Sequence, residues 1–123
     1  MKAFLDTHVA VMLWNGDEFT PRAREILERA ALFVSPMVRL ELSFLEEIGR
    51  LTRSGDEILG GLASELGVTA SEDAIRDVVA EAMGLDWTRD PFDRLLVATA
   101  KLHRAPFVTR DERILQHYSE AVW

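Results

Sequence analysis

The chain of 123 residues has no cysteine, only four prolines and seven glycines, and a single tyrosine. Without cysteine, a disulfide framework, a thiol nucleophile and a thiolate-ligated zinc site are excluded. No apolar run approaches the roughly 20 residues a membrane span requires, so no membrane partner is expected. The opening Met1-Lys2-Ala3-Phe4-Leu5-Asp6 reaches an acid before a signal-peptide core could form, which makes the cytoplasm the expected compartment. There is no Pro/Gly/Ser-rich linker, repeat or low-complexity tract, so one domain over residues 1–123 is expected. Basic charge is scarce as well: 14 Lys and Arg stand against 21 Asp and Glu, a net charge of −7. Taken as a total, that balance argues against a nucleic-acid partner. Its distribution is uneven, because residues 89–113 carry six basic side chains (Arg89, Arg94, Lys101, Arg104, Arg110, Arg113) against four acids.

What the chain does have is 48% apolar residues, arranged as short runs between helical patterns. Ala3-Phe4-Leu5 and Leu32-Phe33-Val34 read as buried strands, and Val68-Thr69, Pro106–Thr109 and Ala121–Trp123 as further short ones. Thr20-Pro21, Ser35-Pro36 and Asp90-Pro91 each pair an N-cap with proline at the first helical position. Helices are predicted from Pro21, from Pro36 to about Leu51, from Ser71 to Met83 and from Pro91 to about Arg104. Another begins at Ser54-Gly55, is interrupted at Gly60-Gly61 and ends near Gly67; a short one starts at Asp111. Strands alternating with helices imply an α/β chain: a three-layer α/β/α arrangement around a short, mostly parallel sheet of four to five strands. Ligands of such sheets bind beyond the C-terminal strand ends.

Several acids then stand where plain solvation does not explain them. Asp6 directly follows the first strand, and Asp111 follows Phe107–Thr109 by two residues, although each could simply cap a helix. On the helical wheel Met37, Val38, Phe44, Leu45 and Ile48 lie within about 60° of Glu41, which puts this acid on an apolar stripe. A carboxylate there needs a guanidinium or a cation. Glu46 and Glu47 fall on the solvated side. Asp93 shares a face with Leu96, Val97 and Ala100, with Asp90 better placed to cap that helix. Four such carboxylates gathered in one crevice would raise each other's pKa unless a multivalent cation neutralised them. With no cysteine and no histidine pair at ligand spacing, that ion is hard, Mg2+ or alternatively Mn2+, and an all-acid pocket reads as phosphodiester chemistry. His8, His103 and His117, on three separate segments, are expected to be partly buried or on the surface; Trp14 and Trp87 are expected in the core.

Leu5-Asp6-Thr7-His8, Glu41, Arg89-Asp90-Pro91-Phe92-Asp93-Arg94-Leu95-Leu96-Val97-Ala98 and Val108-Thr109-Arg110-Asp111 together resemble the PIN domain, and most closely the VapC-type toxins of bacterial type II toxin–antitoxin modules. The resemblance spans essentially the whole chain. It implies a PIN-like fold and a Mg2+-dependent endoribonuclease, usually a homodimer, held inactive by a cognate antitoxin. By position, Asp6, Glu41, Asp93 and Asp111 match the family's acidic quartet, as catalytic and metal-holding groups, with Glu112 an adjacent alternative to Asp111. Thr109 matches the family's Ser/Thr near the pocket, and Asp90 its helix-capping acid. Arg94 and Arg110 are candidates to offset charge on the RNA phosphate. Leu40 stands where relatives often carry Trp.

Two other classes compete. A phosphoaspartyl phosphatase or receiver also places an Asp after its first strand, but the second acid of the former is replaced here by His8, and the acid pair and late lysine of the latter are missing. A PIN-fold module that binds RNA or protein without cutting it is the alternative within the fold.

Overall fold

The computed structural model describes residues 1–123. Five strands, β1 (Lys2–Leu5), β2 (Ala31–Val34), β3 (Thr69–Ala70), β4 (Phe107–Val108) and β5 (Ala121–Val122), form one sheet in the order β3-β2-β1-β4-β5. Every pairing is parallel, with Phe4 opposite Phe33 on one side and Phe107 on the other. The expected α/β architecture is therefore present in its all-parallel form. Seven helices connect the strands: α1 (Thr7–Asn15), α2 (Pro21–Arg29), α3 (Pro36–Glu47), α4 (Gly55–Leu66), α5 (Ile75–Ala82), α6 (Pro91–Leu102) and α7 (Glu112–His117). None is long and apolar enough to cross a membrane.

Strands this short hold together because both faces are covered. Phe4, Leu5, Phe107 and Val108 are almost wholly buried, as are Val38, Leu42, Ile58, Leu96 and Val97 from the helices packed on them. Such near-continuous apolar strands are what a doubly covered parallel sheet demands. The chain runs outward from β1 through β2 to β3 on one side, then returns to add β4 and β5 on the other. The strand order thus reverses between β1 and β4, the place where open parallel sheets bind ligands beyond the C-terminal ends of their strands.

Local expectations hold at the capped starts and fail inside two helices. Thr20, Ser35 and Asp90 each accept backbone N–H groups as N-caps ahead of a proline. Helix α1 has no counterpart in the sequence reading beyond Asp6 as a candidate helix cap; Asp6 does cap it, and Gly16, at φ 72°, ends it. Helix α4 runs unbroken through Gly60-Gly61. A Cβ on Gly61 would lie 2.2 Å from Trp14 Cζ3, so the glycine seats the indole of α1 against α4 rather than interrupting the helix. Helix α3 stops at Glu47, short of Leu51, and α5 begins only at Ile75, four residues after Ser71. The segment before α5 is instead held by the Ser71 N–H bonded to the Val34 carbonyl and by Asp73 paired with His103 at 2.8 Å.

Candidate active site

The β1–α1 junction brings the first acid to the C-terminal edge of the sheet. Asp6 N–H donates to the Val108 carbonyl at 3.0 Å, fixing the residue beside the end of β4. Its Oδ1 accepts from the Thr7 N–H at 2.8 Å, and its Oδ2 accepts from the Thr109 hydroxyl at 2.6 Å. Asp6 is buried, and burial raises its carboxyl pKa; His8 and the two hydrogen bonds oppose that rise, while Asp111 adds to it. Thr109 is itself fully buried and takes a hydrogen bond from the Asp111 N–H at 3.0 Å. One hydroxyl therefore ties the two strand-end acids together.

Glu41 reaches the same edge from α3, where its Oε1 accepts from the Thr7 hydroxyl. The partner is a neutral hydroxyl rather than a guanidinium. Burial is the main cause that raises the Glu41 pKa; the Thr7 bond pulls against it and the charges of Asp6 and Asp90 reinforce it. The wheel placed Glu41 among core residues, and the structure corrects that. Val38 and Leu42 form the buried line of α3, whereas Phe44 and Ile48 are 44% and 64% exposed and Glu41 is half-buried at the border. The apolar surface of α3 is wider than the core it covers, so composition alone misplaces the acid. Phe44 packs edge-on against Phe92 at 5.4 Å. On the far side of α3, Glu46 is exposed as expected, yet its carboxylate accepts the Gly55 N–H at the start of α4.

Asp93 stands in the first turn of α6, and Asp90 supplies the cap there, accepting from the Phe92 N–H at 2.8 Å and the Asp93 N–H at 3.3 Å. Asp93 is therefore free of capping duty. Its pKa is pushed up to about 7, first by burial and then by the charges of Asp90, Asp6, Asp111 and Glu41. Acids from the other three segments therefore lie near enough for their charges to act on Asp93. Asp111 Oδ1 also caps α7, accepting from the Ile114 N–H at 3.0 Å. Of the two adjacent acids, Asp111 is half-buried and acts on Asp6 and Asp93, while Glu112 is exposed in the first turn of α7. As placed, no three His, Asp or Glu side chains stand close enough to share one ion.

The two arginines lie differently. Arg94 Nε donates to the Thr88 carbonyl at 2.6 Å, anchoring the loop that leads into Asp90 and Asp93. Arg110 is exposed, with its guanidinium 5.8 Å from the Trp123 ring and its N–H bonded to His8 Nε2 at 2.9 Å. Neither Thr7 nor His8 figured as a site residue in the sequence, since a threonine and a histidine at the start of a helix carry no pattern of their own. Of the other histidines, His117 is exposed and stacks on Trp87, and His103 bonds Asp73. Trp14 is 37% exposed and Trp87 half-buried, so both lie at the margin of the core rather than within it.

Compared with protein-family models, residues 3–120 match that of the PIN domain. Among solved structures, a chain of a toxin–antitoxin complex from Klebsiella pneumoniae superposes with a TM-score of 0.68 at 17% identity, covering 98% of this chain and 96% of that one. A chain of VapBC2 from Rickettsia felis, crystallised with a DNA fragment from its promoter, gives a TM-score of 0.66 at 16% identity, covering 99% and 96%. At those identities the likeness is one of fold. No curated protein matches the chain.

Proposed function

Since the chain belongs to the PIN domain family, we propose that it is a Mg2+-dependent endoribonuclease, hydrolysing RNA phosphodiester bonds as the toxin of a type II toxin–antitoxin module. The observation that carries this reading is the convergence of Asp6, Glu41, Asp93 and Asp111 from four separate segments on the C-terminal edge of the sheet. Carboxylates set together at such an edge, with burial and mutual repulsion raising three of the four, are poorly explained by folding needs alone. The donor set fits a hard divalent ion: it is all oxygen, it contains no thiolate, and the one nearby histidine already accepts the Arg110 N–H.

In this reading Asp6, Glu41 and Asp93 hold Mg2+, or Mn2+ in its place, and Asp111 supports it. When bound, the ion supplies positive charge against the phosphodiester and lowers the pKa of water toward neutrality. The protein's own part is to aim and hold. Thr109 fixes the Asp6 carboxylate and the Asp111 backbone, and Thr7 fixes Glu41. Asp90 frees Asp93 by taking over the helix cap. Arg110, exposed and next in sequence to Asp111, is the candidate to meet a phosphate of the RNA strand; Arg94 acts on the site through the Thr88 carbonyl. The overall acidity then becomes compatible with RNA, because the excess is concentrated where the ion binds. The two solved neighbours come from toxin–antitoxin assemblies, and by extension this chain is assigned a cognate antitoxin partner; a homodimeric state and a cytoplasmic place of action are proposed on the resemblance to VapC-type toxins alone.

The test is cleavage of a panel of structured RNAs with Mg2+, Mn2+ or EDTA, beside Asp93→Asn. Cutting that needs the ion and disappears in the variant is expected. RNA retained in EDTA and never cut would instead establish a binding module.

A further inference from the structure

His8 belongs to no part of the acidic quartet, yet it touches both loops that carry strand-end acids. Its Nε2 accepts from the Arg110 N–H at 2.9 Å. An imidazole nitrogen that accepts carries no proton, so in the neutral ring the proton sits on Nδ1. That nitrogen faces Asp6 Oδ2 at 3.6 Å, the same oxygen that takes the Thr109 hydroxyl. Residues 6–8 and 109–111 therefore grip each other reciprocally. Asp6 reaches across to Thr109, Thr109 turns back to the Asp111 N–H, and His8 reaches across to the Arg110 N–H. The chain ends of this clasp are more than a hundred residues apart, since the His8–Arg110 bond spans 102 positions.

We infer that His8 is a positioning residue: it locks the β4–α7 loop onto the first turn of α1 so that Asp6 and Asp111 are held together at the C-terminal edge of the sheet. It is the second side chain, with Thr109, to bridge these segments. The role deepens the nuclease reading, on which its importance for the ion rests, while the clasp itself stands on hydrogen bonds alone. Outer-sphere partners of this kind change metal affinity by about ten-fold or more when removed.

Three measurements on the full chain test it. Nitrogen NMR of the wild type near pH 8 reads the tautomer, and a proton on Nδ1 is expected. Amide exchange at Arg110 should accelerate about five-fold in His8→Phe, which keeps a flat ring but has no acceptor, and should stay near wild type in His8→Gln, whose amide oxygen can take the same N–H. Mn2+ titrated alone should bind about ten-fold more weakly to His8→Phe, with His8→Gln restoring most of the loss. A proton on Nε2, or an Arg110 amide and Mn2+ affinity indifferent to His8→Phe, overturns the assignment. Loss of Mn2+ binding in both variants alike, with Arg110 exchange unchanged in His8→Gln, overturns it too, because the hydrogen bond would then be beside the point. A wild type that takes up no Mn2+ refutes the nuclease reading, and the tautomer and exchange data still decide the clasp.

Discussion

Replacing Asp93 by Asn should stabilise the ion-free protein, an unusual outcome for a substitution inside a proposed catalytic centre. The Asp93 carboxyl titrates near 3.8 when unperturbed and is pushed up to about 7 in the folded chain, by burial first and by four neighbouring acids after it. An acid whose pKa rises on folding is protonated in both states at low pH and contributes nothing there. Between the two values the unfolded chain has released its proton while the folded chain keeps it, so stability falls as pH rises. Above the folded value the penalty is complete. A shift of about three pH units corresponds to about 4 kcal/mol at the limit. Asp93 is only half-buried, and solvent and counter-ions screen its neighbours, so about 2 kcal/mol is the working figure. Asn keeps the shape and sheds the charge. In EDTA near pH 8 its melting temperature should exceed the wild type's by about 6–8 °C, and the gap should close near pH 4. Millimolar Mg2+ should then raise the wild type and leave the variant nearly unmoved, narrowing or reversing the order. Scanning calorimetry at two pH values, with and without Mg2+, checks all of this. A variant no more stable than wild type at pH 8, or a gap equal at both pH values, would refute the electrostatic account.

Three other outcomes can be checked with the same material. Mn2+ affinity, followed by titration calorimetry, should climb by up to about ten-fold per pH unit below the Asp93 value of about 7 and flatten above it, because the ion must displace that proton; an affinity independent of pH would remove Asp93 from the ligand set. Thr109→Val deletes a buried donor to Asp6 and the acceptor of the Asp111 N–H, and should cost about 2–3 kcal/mol in urea unfolding. Since the lost bond had lowered the Asp6 pKa, the cost should be greater near pH 8 than near pH 4. Gly61→Ala drives a Cβ to 2.2 Å from Trp14 and should destabilise by about 1–3 kcal/mol, whereas Gly60→Ala, with open space around it, should stabilise by about 0.5–1 kcal/mol. If the two glycines respond alike, Trp14 does not pack as described.

The parts of the fold that were legible share a local cause. Cap-plus-proline pairs announce α2, α3 and α6 because the cap oxygen and the ring both act within one turn. Strands β1 and β2 stand out because a doubly covered parallel strand is apolar throughout. What escaped depends on distant packing. Helix α1 carries no start signal beyond Asp6, whose place as its cap is fixed by the distant β4. The glycine pair of α4 looks like a break until Trp14 is set against it. Likewise Glu41 could be ranked as out of place, but only the Thr7 hydroxyl, 34 positions away, defines where its carboxylate points.

The acids differ in how they reveal themselves, and the reason is energetic. Asp90 and Asp111 cap helices, so a purely local account satisfies both, although the charge of Asp111 also acts on Asp6 and Asp93. Asp93 is the opposite case. It sits one turn into a helix whose cap is already filled, beside apolar neighbours, and its ionised form is disfavoured in the folded chain. Folding alone gives no reason to keep such a group, and an Asn would serve packing equally well. A residue that weakens the fold and supports no neighbour is most simply explained by a ligand that compensates it. For Asp93 that ligand must bring positive charge and accept oxygen donors, which is the property the proposed ion has and no side chain beside it supplies.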